Sequence, residues 1–111
     1  MIEFVDIEKA VDWLRDNAVT AAKARAERIY MESYVKTALA LEAEKVEASS
    51  AAQRESTART RPTYLAALQA LREAVEADET HRFLRDAASA KIEAWRTQES
   101  TRRAEGKAYG A

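Results

Sequence analysis

Cysteine is absent from this chain, which excludes disulfides, thiolate metal sites and a cysteine nucleophile. Glycine does not occur before Gly106, so there is no glycine-rich loop to cradle a phosphate. With Pro62 as the single proline and Gly110 as the only other glycine, the punctuation that strands and tight turns need is missing. That scarcity predicts an all-α chain. The longest apolar run is the five residues Tyr64 to Leu68, far short of the roughly 20 that span a bilayer. The opening "MIEFVD" has no basic region ahead of an apolar stretch, so neither a signal peptide nor a membrane partner is expected and the predicted location is cytoplasmic. His81 is the only histidine. With Asp78 three residues before it, it supplies one fragment of the ligand set that carboxylate-bridged metal bundles take from several helices. No catalytic residue, cofactor or metal site is predicted.

Alanine fills much of what remains, at 25 of 111 residues. It favours helix but adds little area when buried, so one modest helical domain is expected, with few large anchors. Asp6 is a plausible first cap, followed by Ile7, Val11, Leu14 and Ala18 at helical spacing. Tyr30, Met31, Tyr34, Ala38 and Leu41 then fall on nearly the opposite side. Either the helix breaks near Asp16 and Asn17, or one long helix over residues 1–48 buries one face against its own chain and the other against a partner. The alanines between the two stripes favour the continuous or gently kinked version. It makes Tyr30, Met31, Tyr34 and Leu41 the candidate self-association face.

The segment "SSAAQRESTARTR", within residues 49–61, lacks any large apolar side chain and is the expected linker. Pro62 suits the first turn of the next helix, with Thr60 or Arg61 at the cap. Leu65, Leu68, Leu71 or Arg72, and Val75 are its expected buried stripe. Phe83, Leu84, Ala87, Ala88, Ile92 and Trp95 follow, either in an unbroken helix or in a last one capped by Asp78 or Thr80. The expectation is three to four helices in antiparallel hairpins, with a C-terminal segment over residues 62–105, a frayed tail over 106–111 and assembly into a helical-bundle oligomer. In that tail Tyr109 is either incidental or a docking point.

If the last helix continues past Trp95, then Arg82, Arg85, Arg96, Arg103 and Lys107 project within about 40° of one line. This is the candidate ridge for phosphate or for a protein partner. Glu93 and Glu99 flank it, so a solvated, salt-bridged face competes with that reading. The formal net charge of −1 gives no long-range pull toward nucleic acid.

The run from Tyr64 to Gly110, with "KIEAWRTQ" over Lys91 to Gln98 at its centre, resembles the C-terminal half of small helical proteins of tailed bacteriophages and prophages. "MIEFVDIEKAVDWLRDNA" is similar to their N-termini. The resemblance implies a non-enzymatic accessory or adaptor protein near phage recombination or replication functions. Its implied partners are further copies of itself, a phage or host protein, and single-stranded DNA. The rival expectation is a pure protein-interaction module, an inhibitor of a host enzyme or a small DNA-packaging subunit, with no nucleic-acid contact.

Overall fold

The computed structural model describes residues 1–108, all-α and built from four helices: α1 (Phe4–Asp16), α2 (Ala18–Glu44), α3 (Ala51–Ala58) and α4 (Pro62–Ala108). They form two compact units. One comprises Met1–Thr20 with the chain from His81 onward, and the other comprises Ala21–Thr80.

Several local signals differ from the sequence reading. The cap of α1 is Glu3, whose backbone N–H donates to the Asp6 carboxylate at 3.0 Å, so Asp6 sits in the first turn instead of at the cap. The helix ends at Asn17, which donates both its backbone N–H and its side-chain amide to the Trp13 carbonyl, each at 3.0 Å. Asn17 departs from helical geometry at φ −102° and ψ 2°, so of the two expectations the break near Asp16 and Asn17 is the one seen, and the segment over 1–48 is two helices. The 49–61 linker contains α3, started by Ser50, whose hydroxyl accepts from the Gln53 N–H at 3.3 Å. Pro62 opens α4 in the first turn, as expected. No cap interrupts α4 near Asp78; Thr80 instead bonds back to the Glu76 carbonyl at 2.8 Å within the helix. Residues 106–108 continue α4; Tyr109 and the two residues after it lie outside the described residues.

Packing follows a three-four spacing that small and polar residues carry. In the Ala21–Thr80 unit, Ala21, Ala24, Arg28, Met31, Val35, Ala38 and Glu42 of α2 are all buried or half-buried, as are Tyr64, Ala67, Leu71, Ala74 and Asp78 of α4. Such a repeat is the seam of a coiled-coil-like helix pair. Alanine at Ala38, Ala67 and Ala74 allows close backbone approach. The selected line differs from the expected one. Tyr64 and Ala67 are buried, whereas Leu65 and Leu68, about one residue's rotation away, are exposed.

One polar layer crosses this seam. The Arg28 guanidinium reaches Glu79 at 2.9 Å and Asp78 at 3.2 Å on α4, and Glu32 at 3.1 Å on its own helix. Bonds from Glu79 and Glu32, with a smaller one from Asp78, hold Arg28 above the ordinary arginine value. A folded-state rise of this kind contributes stability that is fully present at any pH below that ordinary value, so the arginine's charge is fixed throughout the neutral range.

In the other unit, α1 packs on the later part of α4. Phe4 meets Trp95 with ring centroids 6.1 Å apart and planes tilted by 52°. Gln98 brackets Ile2, accepting from its N–H at 3.4 Å and donating to its carbonyl at 3.1 Å. Ile7 and Ala10 are buried, while Val11 of the expected stripe is exposed.

Candidate functional site

Four surfaces are described, the first being the flank of α2 that its seam leaves uncovered. Tyr30 (60% exposed), Tyr34 (38%) and Leu41 (53%) lie on one line, and the two tyrosine rings stack with centroids 5.9 Å apart and planes 12° from parallel. Met31 does not belong to this face. One residue beyond Tyr30, it turns about 100° into the seam and is buried, with 6% of its surface exposed. The line of Tyr30, Tyr34 and Leu41 also points away from α3, since Leu39, Ala40 and Ala43 line the groove that α2 shares with that helix.

The second surface is the cationic ridge. Arg82, Arg85, Arg96, Arg103 and Lys107 are all exposed on one helix, spanning about 38 Å at 1.5 Å per residue. Two of the five are engaged locally. Arg96 pairs with Glu93 at 2.9 Å, and the Arg82 guanidinium lies 5.2 Å from the centroid of the Phe83 ring. Beside the ridge, Arg102 pairs with Glu99 at 3.2 Å. Arg85, Arg103 and Lys107 have no carboxylate partner among the described residues. These are solvent-exposed pairs, each worth about 1 kcal/mol or less, so an incoming anion could displace them.

The third surface, a shallow groove between α1 and α4, was not anticipated from the sequence. Lys9, Ala10 and Trp13 form one wall, and Leu84, Ala87, Ala88 and Lys91 the other, around about 250 Å³. The signal was hidden because the two walls are some 75 residues apart in the chain. A larger open groove of about 600 Å³ lies between α2 and α3. Its rim has mixed charge, with Arg59 held by Glu55 at 2.8 Å and Arg54 donating to the Ala48 carbonyl at 2.7 Å.

Among the described residues no group of three or more histidine or acidic side chains is placed to hold a metal ion. His81 is half-buried, with a buried Nδ1 that lacks a hydrogen-bond partner. No described helix is long and apolar enough to cross a membrane. No family model, curated protein or solved structure matches the chain.

Proposed function

We propose that this chain is a non-enzymatic interaction module, a phage-encoded adaptor of DNA recombination or replication that acts in the host cytoplasm by binding protein. In this reading its helices form antiparallel hairpins that assemble into a homo-oligomeric bundle. The observation that carries the reading is the uncovered face of α2. Tyr30, Tyr34 and Leu41 continue the spacing of a second seam on a helix whose first seam is already filled. A helix with two such lines has one more packing face than this chain covers.

Sedimentation equilibrium tests this reading. Wild type should show a concentration-dependent dimer or higher state, and Tyr30→Ser with Tyr34→Ser should shift it to monomer with helix content retained. A 12.4 kDa monomer across the whole concentration range would sink the self-association reading. Single-stranded DNA remains the second reading, favoured by the unpaired Arg85, Arg103 and Lys107 on the ridge.

A further inference from the structure

We infer that the groove between α1 and α4 is a docking site for an acidic, amphipathic peptide segment of a partner protein. This deepens the proposed adaptor role by naming the chemistry of the partner, and it rests on that reading.

The floor of the groove is apolar, formed by Ala10, Trp13, Leu84, Ala87 and Ala88. Leu84 is about half exposed, so a large apolar side chain laid there would cover area that now faces water. Size selects the kind of ligand. The volume of about 250 Å³ is below the range of roughly 300–1,000 Å³ in which pockets engulf a small molecule. It suits one or two side chains of a helix lying across the surface, the groove mode of peptide recognition.

Charge selects the partner's sign. Lys9 and Lys91 stand on opposite walls, and neither has a carboxylate partner among the described residues. On α1, Glu8 is next to Lys9 in sequence and projects about 100° away from it, and the carboxylates three residues to either side are committed elsewhere. Asp6 accepts from the Glu3 N–H at 3.0 Å, while Asp12 and Asp16 pair with Arg15 at 3.3 and 3.0 Å. Hydrogen bonding to Asp16, with its charge and that of Asp12, raises Arg15 above its ordinary value, so Arg15 holds those acids. On α4, Asp86 projects about 160–200° from Leu84 and Ala88, away from the groove. Two uncommitted ammonium groups beside an apolar floor complement an apolar side chain flanked by carboxylates.

The test uses the full chain and two synthetic helical peptides of fourteen residues. Each carries Leu and Phe four positions apart, one peptide with Asp and Glu around them and the other with Lys. Backbone amide shifts at Lys9, Trp13, Leu84, Ala88 and Lys91 locate binding. The acidic peptide should perturb these residues saturably and bind at least tenfold more tightly than the basic one. Lys9→Glu with Lys91→Glu should reverse that preference while circular dichroism stays unchanged. Equal affinity for both peptides, or no saturable shift at the groove with the acidic one, overturns the proposal. If the double variant instead lowers the sedimentation-defined oligomeric state, the groove is occupied by a second copy and the inference fails in that form. Loss of self-association in the Tyr30 and Tyr34 variant with peptide binding intact would separate the two surfaces.

Discussion

Replacing Ala38 with leucine tests whether the α2 and α4 seam is close-packed. Ala38 is 2% exposed on α2, and Ala67 and Ala74 are buried on α4. Two outcomes compete. If the helices could part freely, burying three further carbons would stabilise the fold by about 2.4 kcal/mol, at roughly 0.8 kcal/mol each. If the seam is fixed, the added atoms require off-rotamer side chains or a backbone shift, costing about 1–3 kcal/mol. Leucine at such a contact needs a wider separation of the helix axes than alanine does. Widening would pull Arg28 from Asp78 and Glu79, which now sit at hydrogen-bonding distance across the same seam. The fixed-seam outcome is therefore expected.

The matched control is Ala66→Leu on the exposed side of α4, where the change should stay within about 0.5 kcal/mol. Thermal melts followed by circular dichroism at one protein concentration should place Ala38→Leu about 4–12 °C below wild type. An Ala38→Leu protein melting at or above both wild type and the control would show that the seam yields, refuting the alanine-packing argument.

Trp95→Ala should cost about 2 kcal/mol, less than the 3–5 typical of a fully buried indole, because Trp95 is only half-buried and its ring partner Phe4 is itself exposed; urea unfolding measures this, and a loss above 4 kcal/mol would mean the contact is tighter than described. On the ridge, Arg96, Arg103 and Lys107 replaced together by glutamine should leave stability unchanged, and if single-stranded DNA is bound they should flatten its log–log salt dependence by about three units at most. Absence of wild-type oligonucleotide binding at low salt would remove the nucleic-acid reading.

Much of the architecture is legible in residues 1–108, and the reasons for the misses are specific. Scarce glycine and proline gave the all-α class, and Pro62 marked the start of α4. The seam was harder to read because large residues draw attention first. Leu65, Leu68, Phe83 and Leu84 are substantially exposed, while the positions that pack are Ala24, Arg28, Ala38, Glu42, Ala67, Ala74 and Asp78. Periodicity without regard to size would have found them, since the three-four spacing holds from Ala21 to Glu42 and from Tyr64 to Asp78. Likewise α3 had a readable start. Ser50-Ala-Ala-Gln53 is a helix-opening pattern, masked because the segment has nothing large to bury, and only Ala58 of that helix is buried. The groove could not be read at all, because no local pattern links Trp13 to Leu84.

Charge placement bears on which kind of partner the cationic ridge can attract. From His81 to Ala108 there are seven basic side chains against four acidic ones, whereas Met1 to Thr20 carries two basic against five acidic. These two stretches belong to one packed unit, over which the side-chain charges sum to zero. A polyanion responds to the charge within about a Debye length, roughly 8–10 Å, which next to α1 includes the carboxylates of that helix. A protein partner reads individual groups at contact distance, where Lys9, Lys91, Arg85, Arg103 and Lys107 remain distinct. Protein recognition thus needs nothing beyond the side chains as placed, while avid DNA binding would first have to overcome the carboxylates of α1. The proposed interaction module therefore asks less of these side chains than the proposed nucleic-acid binding does.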